Sequence, residues 1–119
     1  MTTSTIHYQQ ALRTECTHIA SKKTVITDAP VDNNGKGDAF SPTDLLATSL
    51  VSCMLTLMGI AAGKANLYFE DAHATMTKLM GTNPRRVVEI RVDITMPNHP
   101  YTAAEKALLE EAGLTCPVA

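Results

Sequence analysis

Three side chains of this sequence are thiols, Cys16, Cys53 and Cys116, and thiols are the residues here best suited to nucleophilic or redox chemistry. Cys53 lies inside "SPTDLLATSLVSCMLTLMGIAAG", residues 41–63. At helical spacing it shares a face with Leu46, Ser49, Leu50, Thr56, Leu57 and Ile60. Two readings are open for it. A free cysteine on an apolar stripe is an ordinary small hydrophobe of the core. To react instead, it needs a cation from another segment, because apolar burial raises a thiol pKa and the helix dipole fades within the first turn. Cys116 stands in "GLTCPV", directly before a proline that pushes it into an extended conformation. If Pro117 opens a further helical turn, Cys116 is an N-cap bathed in backbone N–H groups; otherwise it is a thiol in a plain loop. Cys16 falls in a strand and is assigned to packing.

Other chemistries find less support. His7, His18, His73 and His99 are scattered, and no Cys or His pair has the spacing of zinc ligands. The sequence contains no glycine-rich phosphate loop and no nucleophile elbow.

The elements that must position the thiols follow from the pattern. "TIHYQQ", "LRTECTHI" and "TVITDA" are β-branched segments, the last two separated by the polar turn "ASKK". "PVDNNGKGDAF" is a loop with turn residues at Asn34, Gly35 and Gly37. A long helix then starts at Ser41 as N-cap, with Pro42 first in the helix and Asp44 completing a capping-box pattern; Gly63 is its stop. "FEDAHATMTKL" and "VVEIRVDITM" are strands joined through "GTNPR", and the second puts Val88, Ile90, Val92, Ile94 and Met96 on one face. A second helix opens on a Thr102/Glu105 capping box and closes at Gly113. The order β-β-β-α-β-β-α predicts an α+β fold with mainly antiparallel strands. The long helix is apolar around most of its circumference, so one small sheet cannot cover it, and a second subunit is the expected cover.

The whole composition agrees with a single soluble domain spanning residues 1–119. The chain is 45% hydrophobic and 18% charged, with a net charge of −2 and no basic run, so a nucleic-acid partner is not expected. Two Phe, three Tyr and no Trp offer few stacking platforms for bases. The N-terminal "MTTSTIHYQQALRTE" has no apolar segment of the secretory kind, and the long helix carries polar caps, so neither secretion nor membrane insertion is expected. Three cysteines, an odd number, argue against a disulfide framework and for a reducing cytoplasm.

"FSPTDLLATSLVSCMLTLMGIAA", followed some sixty residues later by "TCPV", resembles the osmotically inducible protein C and organic hydroperoxide resistance (OsmC/Ohr) family. "LRTECTH…TDAPVDNNGKG" is similar to the N-terminal sheet and loop of one branch, so the resemblance spans nearly the whole chain. It implies an intertwined homodimer, an OsmC-like fold with a mainly antiparallel sheet wrapped around a long central helix. It also implies thiol-dependent reduction of organic hydroperoxides without a bound cofactor. In that scheme Cys53 attacks the peroxide and becomes a sulfenic acid, Cys116 resolves it as a disulfide, and an external dithiol such as a dihydrolipoyl group regenerates both. The family places an arginine of the N-terminal strands beside the thiolate, held by a glutamate at the helix start. Arg13 is the arginine that matches.

Two positions depart from the family pattern. Thr43 stands where one branch has that glutamate, and Asp44, the acid present, is nine residues from Cys53, about 180° around a helix. Relatives also usually continue through a short helix and a final strand, whereas this sequence ends three residues after Cys116, so the chain is a shortened form or its sheet lacks an edge strand. A non-catalytic OsmC-like protein, holding an apolar ligand or lipid in the dimer cavity, is the rival expectation.

Overall fold

The computed structural model describes residues 1–118, which fall into two compact units, Met1–Leu46 and Ala47 onward. In the first, the β-branched segments form an antiparallel sheet of order β1-β2-β3, with β1 at Ser4–Tyr8, β2 at Arg13–His18 and β3 at Thr24–Asp28. The register sets Ile6 against Cys16 and Cys16 against Val25, an apolar row on one face of the sheet. It sets Arg13 against Asp28 on the other face. Leu12, expected within the second strand, belongs instead to the turn before it. Ala11 and Leu12 both take the left-handed conformation, at φ 58° and 63°, and Gln9 N–H closes the turn onto the Arg13 carbonyl at 2.8 Å. A tight hairpin demands left-handed backbone at its tip, and that demand overrides the strand preference of the residue.

The loop after β3 contains a 3₁₀ turn at Val31–Asn33 and reverses at Asn34, φ 66°. Gly35 passes so close to Ala29 that an added Cβ would lie 1.8 Å from the Ala29 carbonyl oxygen, a backbone clash that no rotamer relieves. Helix α1, Pro42–Lys64, opens as its sequence predicts. Asp44 N–H donates to Ser41 Oγ and Ser41 N–H donates to Asp44 Oδ2, each at 3.0 Å, a reciprocal capping box.

α1 is long and apolar enough to cross a membrane by length and composition, yet only 22% of its apolar window is buried within the chain. Ala47, Val51, Met58 and Ala62 form its buried side. Leu46, Ser49, Ser52, Thr56, Ile60 and Gly63 recur at intervals of three and four and form a continuous exposed stripe, with Leu46 at 56% and Ile60 at 50% exposure. Cys53, half-buried, borders that stripe.

In the second unit β4, His73–Gly81, and β5, Arg86–Thr95, make an antiparallel ribbon. Its register shifts at Leu79/Met80: Leu79 pairs with Glu89 but Met80 pairs with Val87, leaving Val88 as the extra residue of a bulge. This corrects the strict alternation of the sequence reading. Ile90, Val92 and Ile94 keep the inner face, while Val88 turns out to 53% exposure and Val87 takes its place. Helix α2, Ala103–Leu114, carries the expected capping box, with Glu105 N–H donating to Thr102 Oγ1 at 3.1 Å and Thr102 N–H donating to Glu105 Oε1 at 2.8 Å. Met58, Ala62, Tyr101 and Leu109 are its core, with Leu55, Phe69, Ile94 and Met96 packed against them. Gly113 lets α2 approach α1, since a Cβ there would already sit 3.2 Å from the Met58 thioether. The α+β class with antiparallel pairing holds. Among the described residues of the one chain, the five strands form one antiparallel sheet of three and one of two. Strand patterns specify which segments are extended but carry little about which neighbour each one pairs with.

Candidate active site

In the second unit, Cys53 on α1 and Cys116 just after α2 are sixty-three positions apart in sequence. The two thiols share a side-chain hydrogen bond. Cys116 is buried, and its S–H donates to the Leu50 carbonyl, one helical turn before Cys53, at 3.8 Å. Its sulfur accepts the Val118 N–H at 3.4 Å, as expected where a proline sends the chain into a short turn. All three cysteines are present as thiols.

This arrangement holds the Cys53 proton in place. Its pKa is raised, first by the hydrogen bond to Cys116 and then by burial, while the Val118 N–H pulls the other way. A hydrogen bond that needs the S–H disfavours the thiolate. Among the described residues, the groups acting on Cys53 include no cation.

Arg13 lies in the first unit, at the start of β2. Its guanidinium is gripped edge-on by Asp28: Nε donates to Oδ1 at 2.7 Å and Nη2 donates to Oδ2 at 2.8 Å. The Arg13 side chain is 28% exposed and that of Asp28 is fully buried. Each partner shifts the other, mainly through this hydrogen bond, so that the Asp28 carboxyl falls below its usual range and the guanidinium rises above its own. In the sequence Asp28 is one residue of the strand segment "TVITDA" and belongs to no motif. The signal for it was the hairpin register, which pairs residues 13 and 28 about a turn spanning residues 18–23. The polar run "ASKK" is centred one residue later and hides that symmetry. Asp44, the acid of the helix start, accepts the Ser41 N–H as a cap. The sulfur of Cys16, which is half-buried, lies 3.9 Å from the Thr14 hydroxyl.

The second unit has a cavity of about 360 Å³ between α1, β5 and α2, and neither Cys53 nor Cys116 is among the residues that line it. Met54, Met58, Ile94, Met96, Gly113 and Leu114 give it apolar walls, and Lys106 and Glu110 add the charged groups. Met54 is the residue after Cys53 and Leu114 is two before Cys116. Among the described residues, no group of three or more His, Cys, Asp or Glu side chains is placed to hold a metal ion.

The sequence matches the OsmC-like protein family over residues 35–119. The chain belongs to that family. It is similar to a crystal structure from Psychrobacter arcticus 273-4, named for an osmotic-stress-induced detoxification response, at 50% identity and a TM-score of 0.95, covering 100% of this chain and 86% of that one. It shares its fold with an organic hydroperoxide resistance protein OsmC from Legionella pneumophila (18% identity, TM-score 0.71, 99% and 85% coverage). The same holds for an organic hydroperoxide resistance protein from Elizabethkingia anophelis (16% identity, TM-score 0.71, 98% and 85% coverage). Among curated proteins none matches the sequence.

Proposed function

We propose that this protein is a thiol-dependent peroxidase acting on organic hydroperoxides in the cytoplasm, as a homodimer. The observation that carries the reading is the pair of thiols, Cys53 and Cys116, in one hydrogen-bonded site of a family whose members include organic hydroperoxide resistance proteins. Cys53, as thiolate, attacks a peroxide oxygen. An S–O bond forms, the O–O bond breaks, and the alkoxide leaves as the alcohol after taking up a proton. The Cys116 sulfur then attacks the sulfenic sulfur of Cys53, and water departs as the disulfide forms. An external dithiol, such as a dihydrolipoyl group, returns both residues to thiols, so that one hydroperoxide and one dithiol become alcohol, water and disulfide. Arg13 supplies the positive charge that the Cys53 thiolate requires. A second copy covers the exposed stripe of α1, where apolar Leu46 and Ile60 flank small side chains suited to close approach.

The apolar cavity between α1, β5 and α2 favours one rival, a non-catalytic protein that holds an apolar ligand or lipid. Steady-state turnover of cumene hydroperoxide against hydrogen peroxide, with dihydrolipoamide as reductant, separates the two. The peroxidase reading predicts sustained consumption, faster for cumene hydroperoxide, and loss of two thiols per chain when the reductant is withheld. A protein inert to both peroxides that co-purifies with a lipid would instead establish the binding role.

A further inference from the structure

We propose that Met54 is an oxidation site for apolar hydroperoxides, and that its sulfoxide loosens the contact between α1 and α2 that keeps Cys116 at Cys53. The oxidant class comes from the reading above, but the step needs no turnover at Cys53. The cavity between α1, β5 and α2 carries three thioethers, Met54, Met58 and Met96, and neither thiol lines it. A hydroperoxide lodged there therefore faces methionine sulfur. Met58, 4% exposed, belongs to the buried core and Met96 packs against that core. Met54, half-buried, lines the cavity without belonging to it. Of the three, it is the one the core does not enclose. The sulfur lone pair attacks the terminal peroxide oxygen, an S–O bond forms, and the O–O bond breaks. The leaving alkoxide takes up the hydroperoxide proton and departs as the alcohol. Sulfur is oxidised, the peroxide is reduced, and no thiolate or cation is required.

The product changes the chemistry of the cavity. A thioether is apolar, but a sulfoxide oxygen is a hydrogen-bond acceptor that is costly to leave unpaired in apolar surroundings. Among the lining residues Lys106 alone has a side-chain donor, and it lies about two helical turns along α2 from Gly113. The new oxygen therefore draws water into a cavity whose apolar walls are part of the seam between the helices. That seam is close: a Cβ at Gly113 would stand 3.2 Å from the Met58 sulfur and 3.9 Å from the Met54 carbonyl oxygen. Cys116 follows Gly113 by three residues, and its S–H reaches the Leu50 carbonyl only at 3.8 Å. A small displacement of α2 breaks that bond and carries the Cys116 sulfur away from Cys53.

Peptide mapping after hours in excess cumene hydroperoxide or hydrogen peroxide reads the site, in the parent and in Cys53→Ser. Met76 and Met80 on β4 are half-buried like Met54 but lie outside the cavity, and serve as internal references. With cumene hydroperoxide we expect the Met54 sulfoxide to form about tenfold faster than theirs in both proteins, because the cavity holds that peroxide at the sulfur. With hydrogen peroxide, which apolar walls do not retain, the difference should fall below about threefold. The consequence is read by diamide-driven disulfide formation after dithiothreitol has restored the cysteines, since dithiothreitol leaves sulfoxides in place. The treated parent should form the Cys53–Cys116 disulfide about tenfold more slowly than the treated Met54→Leu protein. Met54→Leu keeps the apolar volume without a sulfur, and it also corrects for cysteine oxidised beyond recovery. Equal oxidation of Met54, Met76 and Met80 by cumene hydroperoxide, or equal disulfide rates in the two treated proteins, would overturn the proposal. If Met54 oxidises as expected in Cys53→Ser while the parent shows no turnover of cumene hydroperoxide, the oxidation site stands and the peroxidase reading fails. If turnover is sustained and Met54 oxidises no faster than Met76 and Met80, the reverse holds.

Discussion

At the scale of single residues, the pattern of types reveals which groups can react, and the structure reveals what restrains them. Cys53 and Cys116 were legible as a pair only through their motifs, because nothing in a one-dimensional pattern brings positions so far apart together. Asp28 was not legible, since its role depends on a register fixed by the extent of a turn. Its depressed pKa makes a prediction of its own. A carboxyl whose folded pKa lies below its unfolded value, near 3.8, contributes stability that is present above that value and lost as pH falls through the folded pKa. Thermal midpoints measured from pH 7 downward should therefore fall as the pH drops below about 4. Asp28→Asn should lower the midpoint at neutral pH and flatten that acid limb. An acid limb identical in the variant and the parent would remove the Arg13–Asp28 pair from the account of stability.

At the scale of elements, both helices were legible, down to their capping boxes at Ser41/Asp44 and Thr102/Glu105, because caps are local chemistry written within four residues. The strands were legible as segments but not as sheets. The bulge at Val88 and the left-handed turn at Leu12 arise from twist and pairing geometry, to which residue preference is indifferent. Two substitutions in α2 test what holds it. Leu109 is fully buried against the α1 side of the core, so Leu109→Ala should cost about 2–5 kcal/mol in chemical denaturation, from lost burial plus the cavity left behind. Thr102→Ala removes one cap acceptor at an exposed helix start and should cost about 1 kcal/mol. If the cap variant proves the more damaging, α2 is held by its ends rather than by its core face.

At the scale of the whole molecule, a long helix apolar around most of its circumference but little covered within the chain is the feature that most needs explaining. The proposed second copy answers it, and it makes assembly inseparable from folding. Dilution should then yield no stable folded monomer, and Leu50→Asp should abolish folding and dimerisation together, through a charge buried without a partner. A compact helical monomer from that variant, seen by sedimentation and circular dichroism, would contradict the covered-helix account. The central claim concerns the two thiols, which should fail differently when replaced. The most direct measurement is intact mass with peptide mapping after one equivalent of cumene hydroperoxide, applied to the parent, Cys53→Ser and Cys116→Ser proteins. The account predicts a Cys53–Cys116 disulfide in the parent, a sulfenic acid at Cys53 that dimedone tags in Cys116→Ser, and no peroxide consumed by Cys53→Ser. An unoxidised Cys53 in the Cys116→Ser protein, or full single-turnover consumption by Cys53→Ser, would contradict it.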